Sequence, residues 1–393
     1  MSETLRNVAA QGAAGALAGC RVTIDLDALV ENYRALSSLA RPAATAAVVK
    51  ADAYGLGAAH VVAALVEAGC GQFFVALPEE GVAVRAIAPQ ARIFVLGGLF
   101  GETAAEACVE AGLTPVLNSR QDIALWESHG WRDDQPLACA IHVDTGMNRL
   151  GLTPDEARVF AEDNALTRAV APVLVMSHLA CGDESGHPMN RRQLESFQSV
   201  RRFFEGIDSS LANSAGILLG RAYHAELVRP GIALYGGAPL SGVDNPMRTV
   251  VTAEARIVQL RTVRAGETVS YGATVTAERD TRIAVVSAGY ADGYHRAGSG
   301  SGVPLRRAAS QGAQGFLHGR RVPVIGRVTM DLTMFDVSAI DADEVSAGDH
   351  VELFGPNIPL DEAAAAAGTI AYEMLTSLGR RSHRVYLGGG TDG

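Results

Sequence analysis

Between residues 44 and 237 the chain repeats one pattern, a short β-branched run followed by a longer amphipathic one. This alternation restricts the fold more than any other feature, because the two periodicities must be packed against each other in layers. Strands are predicted at 45–50, 72–77, 92–96, 114–117, 138–144, 172–178, 210–213 and 228–235, with helical patterns at 57–68, 102–111, 120–128, 154–164 and 190–205. Thr153, Pro154, Asp155 and Glu156 read as a helix start, with a capping hydroxyl, a proline in the first turn and carboxylates at the positive end of the dipole. Eight strand–helix units of this spacing predict an α/β fold, a (β/α)8 TIM-type barrel. The strand near 210 carries the weakest pattern, and a doubly wound open sheet is the alternative.

After 239–247, a turn-rich linker, the texture changes. Strands are predicted at 253–264, 281–286, 320–325 and 350–354 without long helices between them, and one helix at 360–378 interrupts them. The expected organisation is a flexible segment over 1–20, a barrel over 21–240, a mostly β C-terminal domain over 241–386 and a disordered tail over 387–393. Residues 297–310, rich in Gly, Ser and Ala, are expected to form a mobile hairpin tip.

Composition narrows the partners. A net charge of −10 without any Lys/Arg-rich run argues against nucleic acid, and no apolar stretch reaches the length of a membrane span. Leu17-Ala18-Gly19-Cys20 has the form of a lipoprotein cleavage box. It lacks a basic start and a strongly apolar stretch before it, so export is not expected. Five widely spaced cysteines, Cys20, Cys70, Cys108, Cys139 and Cys181, suggest neither a disulfide framework nor a zinc site, and point to a reducing cytoplasm.

Of the 33 basic residues only one, Lys50, is a lysine. Arginine serves wherever a surface cation suffices, but its guanidinium cannot act as an amine nucleophile. A chain so depleted is expected to keep lysine where the amine itself reacts, although a chance survivor gives the same count. Lys50 ends the first predicted strand, in Val48-Val49-Lys50-Ala51-Asp52-Ala53-Tyr54-Gly55-Leu56-Gly57. Carboxyl ends of barrel strands form the active-site rim, and apolar neighbours there would lower the amine's pKa. A rim lysine binding phosphate as a point charge is the other reading.

The segment 49–57 resembles the cofactor-lysine motif of alanine racemases. Others resemble that family's signatures in order: His142-Val143-Asp144-Thr145-Gly146-Met147-Asn148-Arg149-Leu150-Gly151, Ser177-His178-Leu179-Ala180 with Asp183, and Ala212-Asn213-Ser214. Arg229-Pro230-Gly231-Ile232, Val269-Ser270-Tyr271-Gly272, Gly289-Tyr290-Ala291-Asp292-Gly293 and Val328-Thr329-Met330-Asp331 continue the series, so the resemblance runs from about 22 to 386.

The resemblance implies pyridoxal 5'-phosphate as cofactor, linked to Lys50. Asn213, Ser214, the backbone of Gly231 and Ile232, and the hydroxyls of Tyr54 and Tyr372 would hold its phosphate. Arg229 would face the pyridine nitrogen, where most pyridoxal enzymes place a carboxylate, and His178 would lie along the ring against Arg229. Lys50 and Tyr271 would move the α-proton of L- and D-alanine on opposite faces, Tyr271 coming from the partner in a head-to-tail homodimer with shared active sites. Arg149 would approach the cofactor's phenolic oxygen and the substrate carboxylate, with the Met330 backbone assisting. Tyr290, Asp331 and Arg296 would line the substrate entrance, with Asp183 further out. Without the family, His178 reads as a hydrogen-bonded structural residue, Arg229 as a strand-end arginine in a surface salt bridge, Tyr271 as an interface or packing tyrosine and Tyr372 as a helix residue packing in the second domain.

One position departs from the pattern. Many relatives carry at 142 a lysine modified to a carbamate, and histidine cannot carry that group. Arg149 is therefore expected to be positioned differently, and strict alanine specificity is open. Thr329, where cysteine is common, is a smaller departure. Competing readings are a broad-specificity or serine racemase, an amino-acid decarboxylase of the same architecture, a non-enzymatic pyridoxal-phosphate carrier and a cofactor-free aldolase. Arg229 argues against the decarboxylase, and the β-rich segment bearing Tyr271 against the carrier.

Overall fold

The computed structural model describes residues 15, 17–129, 131–132, 135–300 and 312–389. They form two compact units. One comprises 29–234 with 238–247. The other takes 248–389 together with 235–237 and the described residues before 29.

The first unit is the barrel. Its parallel strands run in the spatial order Asp208–Ser210, Pro172–Met176, Cys139–His142, Thr114–Leu117, Arg92–Val95, Gln72–Val75 and Ala47–Val48. The ring closes through Leu227–Val228, which pairs in parallel with Ala44–Thr45. On its other side Glu226 N donates to Ser209 O at 3.0 Å and Arg229 N to Ala212 O at 2.9 Å. Every residue of Thr114–Leu117 and Cys139–His142 is buried, as expected of strands covered on both faces. Phe74 and Phe94, with ring centroids 4.5 Å apart, stack between neighbouring strands. Burying side chains of this size stabilises the unit by about 1.5–3 kcal/mol each. The cap expected at Thr153 is present: its Oγ1 accepts from Glu156 N at 3.2 Å and Glu156 Oε2 accepts from Thr153 N at 2.9 Å.

In the second unit Val251–Val263 pairs antiparallel with Cys20–Asp25, Thr281–Val286 and His350–Phe354. Cys20–Asp25 also pairs in parallel with the last strand, His383–Leu387.

Several expectations are corrected. The segment from Cys20 to Ala28 belongs to the β-rich unit, not the barrel, because its strand partners lie more than two hundred residues away. Leu387 ends a strand, and residues 390–393 lie outside the described residues, as do 1–14 and most of the hairpin tip. The single C-terminal helix is two, Leu360–Ala366 and Ala371–Thr376, broken at Gly368 with φ +67°. The strand expected at 210–213 is Asp208–Ser210, and that expected at 228–235 stops at Val228, followed by a 3-10 turn, Ile232–Tyr235. No described helix is long and apolar enough to cross a membrane.

Candidate active site

The barrel strand Ala47–Val48 is followed by Lys50, which opens a turn, Lys50–Gly55, in which Ala51, Asp52, Ala53 and Tyr54 have φ between +52° and +58°. A left-handed run of side-chain-bearing residues is unfavourable by itself, so the surroundings must impose it. Glu80 does much of this: its Oε1 accepts from Ala51 N at 2.6 Å and its Oε2 from Ala76 N at 2.7 Å and Leu77 N at 3.1 Å. Asp52 Oδ1 secures the far end by accepting from Ala58 N at 2.7 Å. Burial lowers the Lys50 amine below its ordinary value, Arg149 lowers it further, and Glu80 opposes both. A desolvated amine beside a cation is more often neutral and therefore nucleophilic.

Arg229 is buried at the centre of the barrel mouth. Its guanidinium donates to Ser210 Oγ, to Ser177 O at 2.7 Å and to His178 Nδ1 at 3.3 Å, and lies over the Phe74 ring. None of these partners is a carboxylate. Burial pulls Arg229 down to about 9, which leaves it cationic at neutral pH. Because arginine only donates, His178 Nδ1 is the acceptor and its Nε2 carries the proton. Burial, then Arg229 and Arg149, push His178 well below its ordinary value. Gln193 fixes this histidine's backbone, donating to His178 O at 2.8 Å and accepting from Ala180 N at 2.8 Å.

Asn213 is not in a strand. It caps the short helix Ser214–Leu218, its Oδ1 accepting from Gly216 N at 3.0 Å. Ser214 Oγ accepts from Gly231 N at 2.9 Å and Ala233 N at 3.3 Å, so its own hydroxyl proton remains for another acceptor. The Gly231 amide, expected to bind an anion directly, is committed to Ser214. The buried Tyr54 hydroxyl would lie 2.3 Å from a Cβ at Gly231, so only glycine fits there. Ile232 begins the adjoining 3-10 turn.

Arg149 is exposed on the loop that follows Cys139–His142. Asp144 shapes this loop, its Oδ1 accepting from the amides of Gly146, Met147 and Asn148 at 2.8, 2.9 and 3.1 Å. His142 is buried, with Nδ1 2.7 Å from Asn118 Oδ1. Burial first, then Arg229 and Arg149, bring its pKa down to about 4. Asp183 is exposed, and its carbonyl accepts from Ser241 N at 2.8 Å.

The β-rich unit carries the remaining candidates. Tyr271 lies in a 3-10 turn between the paired strands Thr268–Val269 and Val275–Thr276 and is 73% exposed, so its phenol is presented outward. A Cβ on the neighbouring Gly272 would meet the Arg327 guanidinium at 3.1 Å. Tyr271, Tyr290, Arg296, Met330 and Asp331 line one cleft of about 1580 Å³. That volume far exceeds a small amino acid, for which sites of several hundred Å³ suffice. Arg381 clamps this region, donating to Asp292 through Nε at 3.0 Å and Nη2 at 2.9 Å, and to Asp331 through Nη1 at 2.8 Å. Tyr372 is half exposed on the helix Ala371–Thr376.

Glu80, Asn118, Gln193, Ser210 and Arg381 were not expected from the sequence, and Ser177 stood in a family signature without a role of its own. A signal existed for Glu80 alone: Pro78-Glu79-Glu80 after a strand marks a helix start whose third residue can reach back to free amides.

Family models match both parts of the chain, the alanine racemase N-terminal domain over 24–239 and the alanine racemase C-terminal domain over 250–386. Alanine racemase of Rhizobium meliloti is 54% identical over 373 residues, 95% of this chain and 98% of that protein. The biosynthetic alanine racemase of Agrobacterium fabrum is 54% identical over 368 residues, 93% of each chain. Among solved structures, alanine racemase from Bartonella henselae with covalently bound pyridoxal phosphate superposes with a TM-score of 0.86 at 37% identity, covering 94% of this chain and 100% of that one. Matches of this extent, on a barrel with its only lysine at the mouth, show that the chain belongs to the alanine racemase family.

Proposed function

We propose that this enzyme, an amino-acid racemase, interconverts L- and D-alanine in the cytoplasm with pyridoxal 5'-phosphate bound at Lys50. One observation carries the reading. The chain's only lysine is a desolvated amine in a barrel mouth whose central arginine, Arg229, has no carboxylate among its partners. The covalently bound cofactor of the Bartonella henselae structure supports it, and five free cysteines fit the compartment.

The residues present fit such a cofactor. Ser214 has a hydroxyl proton left to donate, Gly231 leaves space where a Cβ would collide, and the surrounding charges are positive. Lys50 would hold the group covalently. Ser214, Asn213, Tyr54, the Ile232 backbone and Tyr372 would hold its phosphate, the Gly231 amide acting through Ser214, with Arg229 at the ring nitrogen and His178 along the ring. When bound, the cofactor withdraws electrons from an amino acid's α-carbon and so acidifies the α-hydrogen.

The chain's own groups then move the proton. Lys50, lowered toward neutrality by burial and Arg149, can accept it from one face. Tyr271 of the partner subunit, whose phenol points outward from its own chain, serves the other face in a head-to-tail homodimer. Arg229 would donate a hydrogen bond to the ring nitrogen while keeping its own proton, which would limit electron withdrawal and favour return of the proton to carbon. Arg149 and the Met330 backbone take the substrate carboxylate, while Tyr290, Asp331, Arg296 and Asp183 frame the approach. The biosynthetic relative in Agrobacterium fabrum supports a role in making D-alanine, a peptidoglycan precursor.

Exchange of the α-hydrogen in deuterium oxide, on a panel of L- and D-amino acids, tests the reading. Alanine should exchange from both enantiomers. Lys50→Arg should abolish exchange and leave no pyridoxyl group after borohydride, while Tyr271→Phe should retain that label and lose exchange mainly from one enantiomer. Equal loss from both would refute the two-sided assignment.

A further inference from the structure

The mouth of the barrel is crowded with cations and short of free acceptors. Lys50, Arg149 and Arg229 all bear on the same region. Of the carboxylates there, Glu80 commits both oxygens to three backbone amides, while Asp144 accepts three amides through Oδ1. A guanidinium that must be aimed at a substrate needs an acceptor behind it, and the buried His142 ring, close enough to feel the charge of Arg149, offers a neutral one.

Asn118 decides which atom it is. Its Nδ2 donates to Leu96 O at 3.1 Å and Val116 O at 2.9 Å, and its backbone N–H to Asp122 Oδ2 at 2.8 Å. With both amide hydrogens committed to carbonyls, the group cannot be turned over, and its Oδ1, purely an acceptor, faces His142 Nδ1 at 2.7 Å. Nδ1 therefore carries the imidazole proton and Nε2 is left as a lone pair. His178, on the neighbouring strand's end, has the reverse arrangement, because Arg229 donates to its Nδ1. The two histidines of the mouth are held in opposite tautomers by different partners.

We propose that Asn118 and His142 form an acceptor pair that positions Arg149: the Nε2 lone pair receives a guanidinium N–H and aims the arginine at the substrate carboxylate. This rests on the reading of Arg149 as the carboxylate-binding residue. A neutral acceptor has a chemical advantage over an acidic one. A carboxylate would cancel the guanidinium charge, whereas imidazole orients it and leaves the full charge for the anionic substrate. The charged groups facing the ring are Arg229 and Arg149, which oppose its protonation, and Asp144, which favours it. His178 faces it as a second neutral ring. The arrangement answers how a chain with histidine at this position keeps its arginine in place.

The test is a long-range proton–nitrogen correlation spectrum of the holoenzyme labelled with 15N-histidine, recorded between about pH 5 and 8. His142 is assigned by loss of its signals in His142→Gln. The expected result is the Nδ1–H tautomer, unchanged across the window; the Nε2–H tautomer, or titration within the window, overturns the proposal. Propionate, which is alanine's skeleton without the amine, should shift the Nε2 resonance as it engages Arg149, and an unmoved resonance at saturation overturns the positioning role. In Asn118→Asp the new carboxylate should draw a proton onto the ring and raise KM for alanine about tenfold with kcat within about twofold. The KM should recover at higher pH, and an unchanged KM with a protonated ring also overturns the role. If wild-type enzyme exchanges the α-hydrogen of no amino acid, the racemase reading fails, while the tautomer measurement stands on its own.

Discussion

Glu80 Oε1 accepts the backbone N–H of Ala51, the residue after Lys50, at 2.6 Å. One carboxylate thus ties the turn bearing the reactive amine to the start of the next helix, and its charge also favours the protonated form of Lys50. Glu80→Gln keeps the shape but removes the charge and one acceptor oxygen. Losing charge-assisted bonds of this kind should lower unfolding free energy by about 2 kcal/mol. It should also lower the Lys50 pKa, since Glu80 is the group that raises it. The pH midpoint of cofactor uptake by the apoenzyme reads this directly, and a midpoint that rises would contradict the assignment.

Strain in the same turn gives a second test. Ala51 is exposed with φ +53°, and a left-handed conformation costs an alanine about 1–2 kcal/mol. Glycine removes that cost but loses about 0.5–1 kcal/mol more backbone entropy on folding. Ala51→Gly should therefore raise stability by about 0.5–1 kcal/mol in urea unfolding, and kcat should fall severalfold as the amine's position loosens. Ala51→Val should be destabilised. A loss of stability in the glycine variant would show that the surroundings, not the residue, bear the conformational cost.

The barrel was legible because its signal is local: each strand's β-branched run and each helix's periodicity lie within a dozen residues, and the cap at Thr153 could be read from Pro154 and Glu156 alone. The fate of Cys20–Asp25 was not, since its register with Val251–Val263 depends on pairing such as Arg21 with Glu254 across more than two hundred positions. The helix Leu26–Ala40 was missed with it. At the site, Lys50 stood out by chemistry, as the one amine among arginines. The left-handed turn after it was invisible because no glycine occupies its φ-positive positions from Ala51 to Tyr54. Asn118, Ser177 and Ser210 act only through the groups they meet across the barrel, and nothing in their local sequence announces those partners.

Gly231 tests the proposed phosphate site. A Cβ there would stand 2.3 Å from the Tyr54 hydroxyl and 3.1 Å from the ring carbon that bears it. Tyr54 is buried and held in the left-handed turn, so it has little room to retreat. Gly231→Ala should weaken cofactor binding at least about tenfold, or about 1.4 kcal/mol, measured by fluorescence titration of the apoenzyme. Unchanged affinity would remove Gly231 and Tyr54 from the phosphate site.

The two histidines of the barrel mouth, His142 and His178, contribute to the acid limb of stability. Both are held below their ordinary value of 6.5 by burial and by Arg229 and Arg149, His142 to about 4. As pH falls below 6.5 the unfolded chain binds protons that the folded chain refuses, so stability is full above that value and is lost on the way down. Each such site contributes at most about 1.4 kcal/mol per pH unit. For His142 the loss should level off below about 4. Urea midpoints across this window should fall with pH, and His142→Gln should make the dependence shallower. An equally steep profile in that variant would place the proton uptake on other groups.

Arg381 holds the loop on which the Met330 backbone is presented. Its guanidinium bridges buried Asp292 and exposed Asp331, while Ala291 N donates to Met330 O at 3.0 Å and Asp292 Oδ2 accepts from Gly289 N at 3.0 Å. Arg381→Met would leave the buried Asp292 carboxylate with the Gly289 amide but no counter-charge, and because Arg381 itself is half exposed the loss should be about 1–3 kcal/mol. Adding Asp292→Asn should recover much of that stability, because the amide needs no counter-charge. It should not restore the Asp331 contact, so the double variant separates the two roles. If Asp331 and Met330 serve substrate approach, the refolded double variant will show a raised KM for alanine with kcat little changed. A normal KM would assign Arg381 to stability alone.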